Sequence, residues 1–282
     1  MNLNLYTGQI DKLIIDALAE DIGTGDITTM SVVESDRTAK GEYIAKESGI
    51  LCGIDICARV FAILDPTIKM TKYFSDGDRI EKGDIIARVE GNAISLLSGE
   101  RTGLNIMQRL SGIATRTAKA VAAVTGSKTQ IADTRKTTPG MRILEKYAVR
   151  VGGGSNHRFN LADGIMIKDN HIVAAGSITE AVMRARKNAP HTLKIEVEVE
   201  TIDQLREALE AGADIIMLDN MSNEMMTEAV RIVNGRALTE ASGNMGDRNL
   251  AAVAATGVDI ISIGALTHTV KSLDISLKFT LD

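Results

Sequence analysis

The sequence predicts an α/β protein whose larger part is a closed or nearly closed β/α barrel, and three observations lead to this prediction. Short β-branched runs alternate with helical patterns from about residue 128 to about residue 265. The connections between them are short, as is typical of parallel strands joined through helices. Polar, charged or glycine residues follow each predicted strand at the same end, where barrel enzymes place their active sites. Six strands can be counted, fewer than the eight of the standard barrel.

The predicted elements begin with a helix near Gln9 to Glu20, followed up to about residue 110 by irregular strands and turns. The six strands of the regular region are predicted at Thr129–Asp133, Gly164–Lys168, Leu193–Val199, Asp214–Leu218, Ala237–Ala241 and Asp259–Ile263. Helical patterns lie between several of them, at Ile178–Lys187, Ile202–Ala211 and Glu224–Val233. Thr201 and Ser222 are suited as N-caps of the last two of these helices. Gly212 is suited to end the helix Ile202–Ala211.

The composition disfavours several classes of protein. The 282 residues carry a net charge of −5, and such an acidic chain is a poor partner for nucleic acid. Aromatic residues make up 3% of the chain and include no Trp, which disfavours a base-stacking surface. No apolar run reaches the roughly 18 residues of a membrane span and no signal peptide opens the chain, so we expect a cytoplasmic protein without membrane contacts. Cys52 and Cys57 fit neither a redox nor a zinc motif, and we expect buried, reduced thiols.

A dense group of cations lies between Asp133 and His171, although the chain as a whole is acidic. Its members are Arg135, Lys136, His157, Arg158 and Lys168, and glycines occupy positions 152–154. Like charges repel unless an anion lies between them, so this density has no explanation in stability alone. The stretch therefore predicts a pocket for a polyanionic small molecule.

Acidic side chains are expected to face these cations. Because strand side chains alternate with a period of two, one face carries Lys194, Glu196, Glu198 and Glu200 and the other carries Ile195, Val197 and Val199. The apolar face should pack against helices, which turns the carboxylates into the barrel; the alternative is an edge strand with a solvated face. Together with Asp219 after the next strand, Glu198 suits a phosphorylated sugar accompanied by Mg²⁺.

Glycine follows the last two predicted strands, in Ser242-Gly243-Asn244 and in Gly264-Ala265. A residue without a Cβ lets backbone N–H groups approach a phosphate, as in the phosphate sites after late barrel strands. An ordinary turn is the alternative interpretation of each of these glycines.

A series of motifs runs through the cation-rich stretch. It reads DTRKT from Asp133, PGMR from Pro139, EKYAV from Glu145, GGG from Gly152, NHR from Asn156 and IKDNH from Ile167. This series closely resembles the quinolinate phosphoribosyltransferase family. The likeness continues in Glu20–Thr28, Gly99–Asn105, Ile195–Val199, Ile216–Asn220, Glu240–Gly243 and Ser262–His268. The resemblance therefore covers nearly the whole chain.

The resemblance implies an α/β fold with an open six-to-seven-stranded β/α barrel at 113–267 and an N-terminal α/β sandwich domain at 1–112, completed by the tail 268–282. The implied reaction transfers phosphoribosyl from 5-phosphoribosyl-1-pyrophosphate to quinolinate and gives nicotinate mononucleotide, pyrophosphate and CO₂ in NAD biosynthesis. Mg²⁺ is expected to accompany the phosphoribosyl donor. The resemblance also implies a homodimer, or an assembly of dimers such as a hexamer, in which Arg101 completes the neighbouring subunit's site.

The resemblance also assigns roles to individual residues. The quinolinate carboxylates are expected on Arg101, Arg135, His157 and Arg158. The catalytic residues are expected to be Lys136 and Lys168, on phosphate and pyrophosphate oxygens, and Glu198 and Asp219, on the ribose hydroxyls and Mg²⁺. The 5′-phosphate is expected on Ser242, Gly243, Asn244, Ser262, Gly264 and Ala265, and Thr137 is also expected to bind substrate. The roles of Asp133, Glu196 and Glu240 stay open, and Asn170 and His171 are expected to support the residues that touch substrate.

Three other interpretations compete with this one. Lys168 at a strand end could be the Schiff-base lysine of an aldolase-like barrel, although anion binding needs no depressed lysine pKa. The segment Asp76–Gly91 has the strand and turn spacing of a lipoyl or biotinyl carrier, but Lys82 lacks the usual Met or Ala neighbour. The molybdenum-transport-associated branch of the same family has a substrate that these residues do not distinguish.

Overall fold

The computed structural model describes residues 3–280, and the chain divides into two compact units. The first unit contains the chain up to Ala118, the segment Thr138–Gly153 and the residues from Thr269 onward. The second unit contains Lys119–Thr137 and Gly154–His268. Residues 138–153 thus group with the first unit, whereas the sequence-based bounds place them in the barrel. Those bounds, 1–112 with the tail and 113–267, stay a prediction.

The structure has helices and strands in the proportions of an α/β fold, as predicted. The helices are α1 Thr7–Ile22, α2 Ile27–Val32, α3 Ile54–Leu64, α4 Ala93–Ala123, α5 Arg142–Val151, α6 Asp169–Ala175, α7 Ile178–Asn188, α8 Ile202–Glu210, α9 Asn223–Val233, α10 Leu250–Ala254 and α11 Ala265–His268. The strands are β1 Thr38–Ala45, β2 Gly49–Ile50, β3 Lys69–Lys72, β4 Arg79–Ile80, β5 Ile85–Asn92, β6 Gln130–Ala132, β7 Ile165–Ile167, β8 Ile195–Val199, β9 Ile215–Asp219, β10 Leu238–Ser242, β11 Ile260–Ser262 and β12 Ile275–Thr280. None of the helices within residues 3–280 is long and apolar enough to cross a membrane.

The first unit is built on an antiparallel sheet in the order β12-β1-β5-β3. Strand β1 alternates exposed and buried residues, so one face of the sheet lies against a core that includes Tyr43, Phe61 and Leu96. The C-terminal strand β12 pairs with β1 over Ile275–Thr280, which brings the tail of the chain into this sheet. Cys52 and Cys57 are buried and form no disulfide, as predicted.

Helix α5 joins the first unit through buried polar contacts. Both oxygens of the fully buried Glu145 carboxylate accept hydrogen bonds, Oε1 from the Arg109 guanidinium at 2.6 and 2.8 Å and Oε2 from the Thr138 amide at 3.0 Å. The Tyr147 hydroxyl donates to Asp76 Oδ2 at 2.8 Å. These bonds explain why the EKYAV motif groups with the N-terminal part of the chain.

The second unit is an open β/α barrel, as the family resemblance implies, whereas the strand pattern alone predicted a closed or nearly closed one. Its strands are all parallel and lie in the order β6-β11-β10-β9-β8-β7, so β6 and β7, consecutive in the chain, form the two edges. A single parallel bridge between Ala132 and Ser155 lies beside β6 and is a rudimentary seventh strand. The barrel therefore has six full strands and an open seam.

The predicted strands and helices of the barrel are confirmed, with ends that differ by a few residues. Thr201 and Ser222 are N-caps, because their hydroxyls accept from the amides of Gln204 and Met225, each at 3.2 Å. Gly212 follows α8 with a φ of +84°, the left-handed conformation that ends many helices. The predicted opening helix is also present, as α1.

Candidate active site

The carboxyl ends of the barrel strands surround a cavity of about 580 Å³. Its walls are formed by Thr134, Arg135, Lys136, His157, Arg158, Met166, Lys168, Glu198, Met217, Asp219, Asn220, Glu240, Ser242, Gly243, Asn244 and Ser262. All of these residues belong to the second unit. The volume is sufficient for a substrate with several charged groups.

The cavity gathers most of the predicted site residues, but four lie elsewhere. Thr137, Gly264 and Ala265 do not line it, although Gly264 is next to it, since a Cβ there would lie 2.9 Å from the Lys136 side chain. Arg101 lies on α4 in the first unit and is exposed. The roles assigned to all of these residues stay predictions.

Five lining residues were not predicted as site residues. They are Thr134, Met166, Met217, Asn220 and Glu240. Met166 and Met217 each precede a predicted site residue by two positions, so the alternation of strand side chains could have identified them. Their apolar side chains were interpreted as core, which is the usual location of methionine.

The two lysines are held by the backbone around them. The Lys136 amide donates to the Thr134 hydroxyl at 3.0 Å, and the Lys136 carbonyl accepts from Thr267 on α11 at 2.8 Å. The Lys168 amide, directly after β7, donates to His171 Nδ1 at 3.0 Å. Through this bond the His171 side chain orients the backbone of Lys168.

The Lys168 ammonium donates to Glu198 Oε2 at 2.5 Å. This ion pair occupies the Lys168 Nζ with a carboxylate, whereas a Schiff-base lysine must have its amine free to attack a carbonyl. The geometry therefore favours anion binding over the aldolase-like interpretation.

Arg158 is a cation whose partners in the protein are weak. Its Nη1 donates to the Gly164 carbonyl at 3.2 Å and its Nη2 to the Met166 sulfur at 3.5 Å. Burial, and then the neighbouring Arg135 cation, lower the pKa of Arg158. Within the described part of the chain, neither Arg158 nor Lys136 forms an ion pair with a carboxylate. Their charges are available to an anion.

The carboxylates of β8 and β9 form the opposite wall. Burial, and then the neighbouring Glu198 carboxylate, raise the pKa of Asp219, and Asp219 Oδ2 accepts from Nδ2 of the Asn220 side chain at 2.7 Å. Strand β8 pairs with β7 and β9, so it is not an edge strand. Glu196 is 4% exposed while Ile195, Val197 and Val199 are buried on the opposite face. The predicted inward direction of the carboxylates is confirmed.

Steric crowding explains why a glycine follows β10. Gly243 has a φ of +88°, and a Cβ at this position would lie 2.2 Å from Asn220 Oδ1. Its neighbours Asn220 and Asn244 are themselves left-handed, with φ of +55° and +51°. The backbone of β10 is also tied to that of β9 by the Asn220 amide, which donates to the Ser242 carbonyl at 3.1 Å. Only glycine fits this corner.

Asp133, directly after β6, is completely buried, and its carboxylate fixes the NHR motif. Its Oδ2 accepts from the Asn156 side chain at 2.6 Å and its Oδ1 from the His157 amide at 2.9 Å. The loop that carries His157 and Arg158 is thereby tied to the end of β6. This gives Asp133, whose role was open, a structural function.

A β/α barrel that gathers cations, paired carboxylates and a glycine corner at the carboxyl ends of its strands defines an enzyme for a small polyanionic substrate. Comparison with known proteins identifies the family. The C-terminal domain of quinolinate phosphoribosyl transferase matches residues 113–278, and the N-terminal domain of the same enzyme matches residues 26–111. The chain belongs to the quinolinate phosphoribosyltransferase family. The segment proposed as a carrier lies inside the matched N-terminal domain, which removes that interpretation.

Individual relatives agree with this assignment. The chain is 51% identical over 273 residues to the probable nicotinate-nucleotide pyrophosphorylase (carboxylating) of Bacillus subtilis (strain 168), covering 97% of this chain and 94% of that protein. The solved nicotinate-nucleotide pyrophosphorylase of Francisella tularensis is 44% identical, with a TM-score of 0.93 and coverage of 97% and 96% of the two chains. The solved NadC of Streptococcus pyogenes is 44% identical, with a TM-score of 0.92 and coverage of 100% and 98%.

Proposed function

We propose that this protein transfers the phosphoribosyl group of 5-phosphoribosyl-1-pyrophosphate to quinolinate and removes one carboxylate, giving nicotinate mononucleotide, pyrophosphate and CO₂ in NAD biosynthesis. The observation that carries the proposal is the pocket in which Arg135, Lys136 and Arg158 face Glu198 and Asp219. Both substrates are polyanions, and the family assignment supports the particular pair. The cytoplasm remains the predicted location.

Quinolinate is a dicarboxylate, and its recognition requires more than one cation. Arg158 has weak acceptors in the protein, so a carboxylate can take the guanidinium without displacing an existing ion pair. A guanidinium matches the two oxygens of a carboxylate, and Lys136 supplies a second charge in the same pocket. A substrate with one carboxylate leaves one of these two pocket cations without a partner, which disfavours its binding.

The reaction needs no nucleophile from the protein. The ring nitrogen of quinolinate attacks C1 of the ribose while the bond from C1 to pyrophosphate breaks, and positive charge develops at the sugar. Glu198 and Asp219 are suited to stabilise that charge and to bind the ribose hydroxyls, and Lys136 and Lys168 to bind the leaving pyrophosphate. The resulting pyridinium accepts the electron pair of the adjacent carbon–carboxylate bond, CO₂ leaves, and a proton takes its place on carbon.

Mg²⁺ is part of the proposal. The residues present fit it, because Glu198 and Asp219 offer hard oxygen ligands close enough for one carboxylate to raise the pKa of the other. These two residues would hold the ion, mainly through water and substrate oxygens. When bound, Mg²⁺ would neutralise charge on the pyrophosphate.

The 5′-phosphate is proposed to bind at the other side of the pocket. Ser242, Gly243, Asn244 and Ser262 line it there, with Gly264 and Ala265 beyond them. The left-handed backbone at Gly243 and Asn244 supports this proposal, since successive N–H groups in such turns form anion-binding concavities. Thr137, in the loop after β6, is proposed to contribute to substrate binding.

A comparison of substrates tests the function. Quinolinate, nicotinate and nicotinamide would each be incubated with 5-phosphoribosyl-1-pyrophosphate and Mg²⁺, and products separated by HPLC. We expect nicotinate mononucleotide and pyrophosphate from quinolinate, with nicotinate a poor substrate and nicotinamide inert. Equal turnover of quinolinate and nicotinate would contradict the specificity. Absence of turnover with all three would favour the molybdenum-transport-associated branch.

A homodimer, or an assembly of dimers, is proposed as the active form, with Arg101 acting in the partner's site. Arg101 is exposed on α4, in the unit that does not contain the pocket, and a two-fold interface would complete both sites by the same contact. Arg101→Ala and Lys136→Ala homodimers should then each be nearly inactive. After the two variants exchange subunits, about a quarter of wild-type activity should return, because half the dimers are mixed and half their sites are intact. No recovery after verified exchange would exclude action in trans.

A further inference from the structure

Asn220 lies directly after β9, where the strand ends in the wall of the catalytic cavity. Its φ of +55° lies in the left-handed region, which asparagine adopts more readily than most residues other than glycine. Its backbone amide donates to the Ser242 carbonyl at 3.1 Å, at the end of the neighbouring strand β10. This bond ties the left-handed turn to β10 and limits the positions that the Asn220 side chain can reach.

The two polar atoms of the Asn220 side chain lie against different parts of the site. Nδ2 donates to Asp219 Oδ2 at 2.7 Å. The carbonyl end lies against Gly243, where a Cβ would be 2.6 Å from Asn220 Cγ and closer still to Oδ1. Because an ionised carboxylate only accepts hydrogen bonds, the NH₂ end must face Asp219 and the carbonyl end must face Gly243. The side-chain amide is therefore held in one orientation.

Asp219 is the carboxylate that this arrangement controls. Lys136 and Lys168 act on the Asp219 charge through space, whereas Asn220 holds one of its oxygens by a direct hydrogen bond. The terminal torsion of an aspartate is broad, so without such a bond the carboxylate rotates more widely. With Oδ2 held by Asn220, Oδ1 is presented to a ligand. Binding and catalysis depend on placement of this kind, because small displacements of a reacting group are costly.

We infer that Asn220 is a positioning residue for the phosphoribosyl donor, which orients the Asp219 carboxylate toward the sugar and, through its contact with Gly243, aligns that carboxylate with the corner proposed for the 5′-phosphate. The inference rests on the proposed function and deepens it. One side chain joins the group proposed for the ribose hydroxyls on β9 to the group proposed for the phosphate after β10.

Direct contact between Asn220 and the donor is the competing explanation, because Asn220 itself lines the cavity. The two explanations predict different results when Asn220 and Asp219 are both changed. Residues that act through one another have coupled effects, whereas residues that contact a ligand independently have effects that multiply. A double-mutant cycle therefore distinguishes them.

The cycle is measured on the full-length protein. Asn220→Gly removes the side chain and keeps a residue that tolerates the left-handed backbone. We expect it to raise the calorimetric Kd for 5-phosphoribosyl-1-pyrophosphate, with Mg²⁺ and without quinolinate, by about fivefold and to lower kcat/KM for this donor by about tenfold. The combined Asp219→Asn and Asn220→Gly variant should lie within about twofold of Asp219→Asn alone, because no carboxylate is left to orient. Single effects that multiply in the combined variant would overturn the inference.

Asn234→Gly is the matched control. Asn234 is also exposed and left-handed, with a φ of +47°, and it follows α9 outside the set of residues that line the cavity. This change should leave the Kd and kcat/KM for the donor unchanged. A loss as large as that of Asn220→Gly would overturn the inference, since it would come from the glycine and not from the site.

Quinolinate provides the second control. Its Kd should change less than about twofold in Asn220→Gly, because quinolinate is proposed to bind the cations of the cavity. Equal losses for both ligands would show general damage to the cavity and overturn the inference. Wild-type donor binding and kinetics in Asp219→Asn would refute the role of Asp219 and the inference with it. If the wild-type protein failed to convert quinolinate, the proposed function would be refuted, while the calorimetric cycle would still decide the inference.

Discussion

Each unit contains a half-buried arginine, and the two arginines differ in their partners. In the first unit, Arg109 donates twice to the fully buried Glu145, whose second oxygen is satisfied by the Thr138 amide. In the second unit, the acceptors of the Arg158 guanidinium among residues 3–280 are one carbonyl and one thioether, and Arg135 lies close enough to disfavour its charge. Both arginines are anchored to residues of the same motif-rich stretch. The arginine that is paired with a carboxylate, Arg109, contributes to the stability of the fold. The arginine without a carboxylate partner in the described part of the chain, Arg158, can bind an anionic ligand.

The largest effect that this comparison predicts is on activity. Arg158→Ala should lower kcat/KM for quinolinate by about 10³-fold, because the loss of one partner of a desolvated charge pair costs about 2–5 kcal/mol. The Tm should stay unchanged or rise, since the Arg158 charge is unfavourable in the free protein. Steady-state kinetics and thermal unfolding measure the two effects. Arg184→Ala, which removes an exposed arginine on α7, is the matched control and should change neither.

The converse prediction concerns Arg109. Arg109→Met leaves the Glu145 carboxylate buried without its charged donor, and should lower the free energy of unfolding by about 3–5 kcal/mol. Arg79→Met, which breaks the exposed pair with Glu81, should cost at most about 1 kcal/mol. Denaturant unfolding of both variants provides the measurement. Equal losses would show that burial does not separate the two ion pairs.

A third prediction distinguishes the role of the carboxylates Glu198 and Asp219 from that of the cations in the same cavity. Glu198→Gln and Asp219→Asn should each lower kcat/KM for 5-phosphoribosyl-1-pyrophosphate by about 10- to 100-fold and raise the Mg²⁺ concentration needed for half-maximal activity, because each removes a charge at the sugar and metal position. The Kd for quinolinate alone, by calorimetry, should change less than threefold. Glu200→Gln, directly after β8 and exposed, is the control. Wild-type activity in both variants with unchanged melting would refute the assigned roles.

The sequence predicts the barrel better than it predicts the paths between the strands. Alternation placed β8 and the inward direction of Glu196 and Glu198 correctly, because a strand has one simple period. Helices α5 and α6 were not predicted, since Leu144, Ala148 and Val149 lie among charged motif residues and α6 is short and has no buried residue. Secondary structure is therefore easiest to predict where the sequence has a regular hydrophobic period.

The site was predicted by residue type, and the contacts between its residues required the structure. Cations and glycines stand out in a sequence, so Arg158, Lys168 and Gly243 could be identified. Nothing in the sequence indicates that Nδ1 of His157 accepts from the next amide, or that Glu196 and Glu240 meet across β9. Such contacts join distant strands, and they decide whether a polar residue touches substrate or supports one that does.

The smallest expected effect is a pH-dependent change in melting temperature, which tests the buried pair of Glu196 and Glu240. Burial, and then the Glu196 charge, raise the pKa of Glu240 to about 7, above its ordinary value of 4.5. Because the folded state holds this proton more tightly than the unfolded state, ionised Glu240 lowers stability, a penalty absent below about pH 4.5 and complete above about pH 7. Glu240→Gln, which is neutral at every pH, should thus melt close to wild type at pH 5 and a few degrees higher at pH 8, at roughly 2–4 °C per kcal/mol.

Asp259→Asn is the control of opposite sign. Despite partial burial, hydrogen bonds from Lys128 and Thr239 hold the pKa of Asp259 below its ordinary value. This carboxylate therefore contributes stability that is present at pH 8 and is lost as the pH falls through its lowered pKa. Asp259→Asn should melt below wild type at pH 8, whereas Glu240→Gln melts above it. A Glu240→Gln shift that is the same at pH 5 and pH 8 would mean that the buried acid pair does not hold the extra proton, and that the difference between matched and unmatched charge does not extend to the carboxylates.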